Sequence, residues 1–240
     1  SSAITYLISA PIINPIVIFS TMSAFQNVEA EAGVLGSAGM AFARVSLGYA
    51  IAVLIGLVML RKKPEDVLSV SVAAGVARAA AETGEPVTPP FNTRLGHAMR
   101  TSMRDFLDTA MYFAIGVIIT SVFNTQIDQA KVELVAGSDW TAIPSLMGLS
   151  FVLALCSTSD AFIAAPMAAF SSASKLAFLV FGPMLDVKLV FMYAAVFRRK
   201  FLIWLCLAMF VLVGGLAKPW TLLIDQFQSK AAAAEKVSTP

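Results

Sequence analysis

Residues 39–60 are 22 consecutive residues carrying a single charge, Arg44. An α-helix needs about 20 apolar residues to cross the hydrocarbon core of a bilayer. Arg44 lies near one end of the run, where a long side chain can snorkel to the headgroups. Runs 106–123 and 201–217 have the same character, the second closed by Lys218 and Trp220 as an interfacial anchor. Over the whole chain 58% of residues are hydrophobic, 13% are charged and mean hydropathy is +0.79, whereas soluble domains carry roughly 25% charged residues. A net charge of +2 supplies no basic face, so nucleic acid is excluded as a partner. The expected fold is all-α and polytopic, with membrane lipids as its solvent.

The two cysteines, Cys156 and Cys206, both lie in apolar runs and can build neither a disulfide framework nor a zinc cluster. The chain opens with Ser1 and Ser2 inside apolar sequence, so its natural start is expected further upstream.

Basic residues set the orientation. Residues 61–104 hold seven Arg and Lys, whereas 26–38 hold Glu29 and Glu31 and no cation. The positive-inside rule therefore puts the long loop in the cytoplasm, with 39–60 running inward and 106–123 returning outward. Arg198, Arg199 and Lys200 mark the next cytoplasmic point. Two simple spans over 162–185 and 189–213 would bury those three cations at about 2.5 to 3.5 kcal/mol each. The alternative is a re-entrant hairpin over 143–170 that breaks at Ser157-Thr158-Ser159-Asp160, leaving Ser171, Ser172, Ser174 and Lys175 outside. Residues 176–197 then cross inward with Pro183 and Asp186 near mid-bilayer.

Residues 2–25 align with 174–197 at a constant offset of 172, which lays Pro11 on Pro183 and Asn14 on Asp186. The two copies are expected to run in opposite directions, and inverted repeats with broken helices are a common plan of secondary transporters. On this reading the chain divides into the end of a first membrane repeat (1–60), a cytoplasmic loop (61–102), a second membrane repeat (103–222) and a tail (223–240). The first repeat is expected to begin about 70 residues before Ser1, with a hairpin matching 143–170.

Three motifs in order, Ala10-Pro11-Ile12-Ile13-Asn14-Pro15, Cys156-Ser157-Thr158-Ser159-Asp160-Ala161-Phe162 and Phe181-Gly182-Pro183-Met184-Leu185-Asp186-Val187-Lys188, resemble the predicted permease family that includes the ArsP-type exporters of trivalent organoarsenicals. The likeness spans most of residues 2–197. It implies a multi-pass permease of the bacterial inner (plasma) membrane, with arsenical efflux as the activity to expect.

The residues carry their own chemistry. Pro11 and Pro15 remove amide donors in mid-span and free carbonyls, while Asn14 between them offers both a donor and an acceptor. It either lines a substrate path or bonds a neighbouring helix at a plain kink. Asp186 is an ionisable group in the bilayer core, hence a site residue by default or a structural ion-pair member. Lys188 is a poor partner for it, because i and i+2 positions on a helix point different ways. Cys156, Ser157, Thr158, Ser159 and Asp160 join a soft thiol, three hydroxyls and a carboxylate at one tip. Such a tip can coordinate an ion or oxyanion, or simply cap the next helix. Cys156 suits a soft metalloid such as As(III), and otherwise packs as a small core residue. His97, with Arg94, Arg100 and Arg104, reads as a basic amphipathic helix on the inner leaflet. Residues 73–81 read as a weak surface helix, 86–90 as a loop and 231–240 as a frayed tail.

No P-loop, resident metal site or cofactor motif is legible, so an enzyme is not expected. The expected function is a secondary transporter that exports a small metalloid or organoarsenical-like solute on an ion or proton gradient. Asp160 or Asp186 would be the coupling carboxylate, and Pro11, Asn14, Pro15, the 156–160 tip, Pro183 and Asp186 the substrate-binding residues. A membrane subunit that binds a partner protein without transporting, and a channel, are the alternatives. Association with further copies of the chain is left open.

Overall fold

The computed structural model describes residues 9–27, 35–61 and 138–238, with scattered positions between 6 and 118; within the last helix, side chains are described to Phe227 and at Lys230. The expected span 106–123, most of the loop 61–104 and the surface helix 73–81 fall largely or wholly outside the described residues.

The described elements are helices: α1 Pro15–Ala24, α2 Ser37–Leu60, α3 Asp139–Leu153, α4 Ser159–Ala164, α5 Ser172–Met184, α6 Val187–Val196 and α7 Arg199–Ser238. Among the described residues three stretches are long and apolar enough to cross a bilayer: Ser37–Leu60, Ser172–Val196 and Arg199–Phe227. An all-α polytopic membrane protein is therefore what the sequence builds.

Helix α5 lies at the centre. Every residue of Ser172–Met184 is buried, as befits a helix apolar all round, and it packs against α2, α3, α4 and α7. Phe181 meets Phe210 of α7 edge-on, ring centroids 5.9 Å apart. The outer helices are two-faced. Along α7, Leu205, Met209 and Val213 are fully buried, while Ile203, Leu207 and Val211 are exposed at the same helical spacing. Exposed apolar side chains on α1 and α2, such as Phe19 and Phe42, continue this outer surface, which in a chain of this composition meets lipid.

The span Ser172–Val196 is interrupted between α5 and α6, where Leu185 and Asp186 are extended. Helix α7 begins at Arg199, just after the non-helical Phe197 and Arg198, so the basic cluster sits at a break rather than inside a span. Over the stretch expected to form the hairpin, the chain runs through α3, a non-helical tip over 154–158 and α4, then turns into α5. Two expectations are corrected. The span expected to begin at residue 176 begins at Ser172 instead, so that Ser172, Ser174 and Lys175 are buried in the first turn of α5; the Lys175 ammonium donates to the Ala165 carbonyl at 3.2 Å and lies over the Phe25 ring. The tail expected to fray is helical as far as Ser238, because its alanine run favours helix.

Candidate functional site

Both motifs aligned at the 172 offset are helix breaks of one kind. Upstream of α1 the chain turns at 10–12, with Ile12 and Ile13 amides donating to the Ser9 carbonyl. It then extends at Asn14, whose Oδ1 accepts from the Ile16 amide at 3.0 Å. Pro15 opens α1 as its first helical residue, where a missing amide costs nothing. Before α6, Asp186 is extended in the same way, and its Oδ1 accepts from the Leu189 amide at 2.7 Å. Asn14 and Asp186 are both N-caps, each satisfying an amide that a new helix start leaves free.

The breaks meet the hairpin tip around a cavity of about 210 Å³. Pro11 from the first break, Pro183 and Asp186 from the second, and Leu155 and Ser157 from the tip line it. Lys188, Leu189 and Met192 of α6 complete the wall. Of the residues predicted from sequence, Pro11, Ser157, Pro183 and Asp186 are thus brought together. Asn14, Pro15, Cys156, Thr158, Ser159 and Asp160 are not in the lining. Asn14 is half-buried beside the first break and Pro15 is exposed. Cys156 is exposed, its Sγ 2.7 Å from Thr158 Oγ1 and 3.7 Å from Ser159 Oγ.

The ammonium of Lys188 lies 3.8 Å from Asp186 Oδ2, against the sequence reading that the two diverge. The spacing argument holds inside a helix, and Asp186 precedes the helix in extended conformation, which turns its carboxylate over the first turn of α6. The cavity therefore carries one carboxylate and one ammonium on the same wall.

The largest departure is Arg44. Rather than snorkelling outward it is 1% exposed and points into the bundle. Its Nη1 donates to Thr21 Oγ1 of α1 at 2.9 Å and its Nη2 to the Ser157 carbonyl at 2.8 Å, with Asp160 Oδ2 3.5 Å from Nη2. Asp160, 2% exposed, lies in the first turn of α4, yet no side-chain cap bond forms at that helix start; the carboxylate faces the guanidinium instead. Sequence reasoning missed this partner. A signal existed, since a carboxylate in an apolar hairpin needs a cation and Arg44 is alone as a charge within its run.

Gly182 of α5 lies beside this pair. A Cβ there would collide with Ser150 Oγ and come within 3.7 Å of Asp160 Oδ2. The Ser150 hydroxyl in turn donates to the Phe178 carbonyl at 3.0 Å, tying α3 to α5 behind the tip. The tip is also strained: Ala154, which ends α3, has φ 45° and ψ 45°, a left-handed conformation disfavoured by a Cβ.

A second cavity of about 560 Å³ runs between α3 and α7, lined by apolar side chains such as Ile143, Met147 and Phe210, with Lys218 as its charged group. It contains none of the predicted site residues. Among the described residues no cluster of three or more His, Cys, Asp or Glu could hold a metal ion.

Apolar helices interrupted by capped breaks around a small charged cavity are the architecture of a multi-pass membrane protein. The model of the predicted permease family ArsP_1 matches residues 1–217, and the chain belongs to that family. The UPF0718 protein YcgR of Bacillus subtilis (strain 168) is 31% identical over 218 residues, covering 90% of this chain and 69% of that protein. A putative two-component membrane permease complex subunit of Streptococcus mutans serotype c (strain ATCC 700610 / UA159) is 29% identical over 203 residues, 84% of this chain and 62% of its own length. The chain thus spans about two thirds of these relatives. No solved structure matches it. Its bacterial relatives and its three candidate spans make it a plasma-membrane protein.

Proposed function

We propose that the protein is a secondary transporter whose substrate site is the cavity between the two helix breaks and the hairpin tip. The observation that carries this reading is that Pro11 and Pro183, equivalent under the 172 offset, face the same cavity, with Asn14 and Asp186 capping equivalent half-helices. Paired broken helices of this kind suit alternating access, in which one repeat rocks against the other around a fixed site. The inverted-repeat arrangement is part of the proposal.

The solute is small. A drug-sized ligand needs roughly 300 Å³ or more, and this cavity has about 210 Å³. An exported metalloid or organoarsenical-like compound fits that size. Cys156, next in sequence to the lining residues Leu155 and Ser157, offers a soft sulfur ligand at the tip. Asn14, Pro15, Thr158 and Ser159 border the path. With no P-loop in the sequence, an ion or proton gradient is the driving force, and Asp160 or Asp186 is the coupling carboxylate.

The test is efflux of a trivalent methylarsenical from proteoliposomes of the full-length protein under an imposed proton gradient, comparing Asp186→Asn and Cys156→Ser with the parent. Gradient-dependent efflux that falls in Asp186→Asn supports the reading. Parent rates in both variants would remove the site. Efflux that ignores the gradient would favour a channel.

A second reading has its own support, the complex-subunit name of the Streptococcus relative. Under it the chain acts only together with a partner protein. Transport by the purified chain alone would exclude this.

A further inference from the structure

The breaks and the cavity leave one feature unused, the buried contact between Arg44 and Asp160. Two of its hydrogen-bonding atoms, Arg44 Nε and Asp160 Oδ2, are fully buried and have no hydrogen-bond partner among the described residues. The two groups are 3.5 Å apart, outside the bidentate fork geometry that makes such pairs strong. Yet the same guanidinium is firmly placed by Thr21 on one side and the Ser157 carbonyl on the other. Ser157 lines the cavity. One cation therefore spans a charge it holds loosely and a backbone group that forms the cavity wall. It also links three elements, α1, α2 and the tip.

We infer that Arg44 is the positioning residue through which the charge on Asp160 sets the hairpin tip. With Asp160 ionised, the guanidinium is held between the carboxylate and Ser157, and the tip is fixed. When Asp160 takes up a proton, the ion pair is lost, a buried cation is left without its counter-charge, and Arg44 shifts to find other acceptors. The Ser157 wall moves with it. The other charged or titratable groups within electrostatic reach of Asp160 are Cys156 of the same tip and Asp186 and Lys188 at the second break. The last two neutralise each other as an ion pair. This inference rests on the proposed transporter reading and gives it a device, assigning coupling to Asp160 rather than Asp186.

The experiment reads the tip and not transport. Full-length protein in lipid nanodiscs is treated with a soluble maleimide at several values between about pH 5 and 9, and labelling of Cys156, an exposed residue two positions from Thr158, is followed by mass spectrometry of its own peptide. Because the charges of Asp160 and Arg44 also act on the Cys156 thiol, labelling in each variant is expressed per thiolate, the thiolate fraction being taken from that variant's own titration, and its ratio to the parent is taken at each pH. Asp160→Asn should label about fivefold or more differently from the parent at high pH, where the parent tip is fixed, and converge on it at low pH. Arg44→Gln should lose the difference between high and low pH, and Arg44→Lys, which keeps a cation without the fork, should retain it at smaller amplitude. A ratio for Asp160→Asn that stays constant across the range overturns the inference. So does the same loss of profile in Asp186→Asn with Asp160→Asn unaffected, because that would move the device to the other carboxylate. Either failure can occur while gradient-driven efflux persists, which separates the failure of this inference from that of the transporter reading.

Discussion

Asn14 and Asp186, 172 positions apart, do the same structural job: each is extended, each ends a broken segment, and each accepts a hydrogen bond from an amide of the helix it starts. The pairing matters because one is neutral and the other charged. Cap and charge can therefore be separated by substitution.

Asn14→Ala and Asp186→Ala should each lower stability by about 1 kcal/mol through loss of the cap. Asp186→Asn keeps an accepting oxygen and should lose little of that amount. Thermal unfolding of the purified protein in one detergent checks this. An Asp186→Asn variant as unstable as Asp186→Ala would mean that the ion pair with Lys188, not the cap, holds the break.

Arg44 and Asp160 are buried on both sides of their contact. Removing one partner strands the other charge, so Arg44→Met should cost about 3 to 5 kcal/mol. The double variant Arg44→Met with Asp160→Leu should recover much of that loss. A double-mutant cycle on unfolding midpoints measures the coupling, and strictly additive losses would show that the two charges do not interact.

Gly182→Ala should destabilise by about 1 to 3 kcal/mol, because the new methyl group meets Ser150 Oγ in a packed interior. Ser150→Ala, which removes the obstructing hydroxyl, should rescue it in part. Failure of the rescue would contradict the assignment of the clash to that hydroxyl, because the next atoms, Ser150 Cβ at 3.6 Å and Asp160 Oδ2 at 3.7 Å, lie at ordinary contact distance.

Ala154 adopts left-handed φ and ψ at the end of α3. Ala154→Gly should be neutral or stabilising by up to about 1 kcal/mol, since relief of the Cβ strain outweighs the added freedom of the unfolded chain. Ala154→Val should destabilise. The unfolding midpoints of the two variants, compared with the parent, check the sign.

Much of the architecture was legible from hydropathy and from the cost of burying charge. The cluster Arg198-Arg199-Lys200 could not lie inside a span, and that alone forced the break before α7. Proline placement located both helix breaks. What escaped was pairing. Arg44 sits about two turns inside its helix, so the chain by itself cannot distinguish a side chain reaching headgroups from one turned inward to a carboxylate 116 positions away. Lys188 was misjudged because a helical spacing rule was applied across a residue that is not helical. Trp220, read as an interfacial anchor, donates to Ser46 Oγ of α2 at 2.9 Å, a contact that only the packing of α7 on α2 creates. Ser172, Ser174 and Lys175 read as lying ahead of the span, yet Lys175 is buried within it because the carbonyl of Ala165 and the ring of Phe25 receive its ammonium.

The central claim is that the small cavity between the two breaks is where solute passes. Its most direct test fills that cavity and leaves the rest alone: gradient-driven efflux from proteoliposomes carrying Leu189→Trp, in the cavity wall, against Leu207→Trp on the exposed outer face of α7. Efflux at least about tenfold slower in Leu189→Trp, equivalent to about 1.4 kcal/mol, with Leu207→Trp at the parent rate and both unfolding midpoints near the parent's, is the predicted result. Equal and undiminished efflux in the two variants would contradict it.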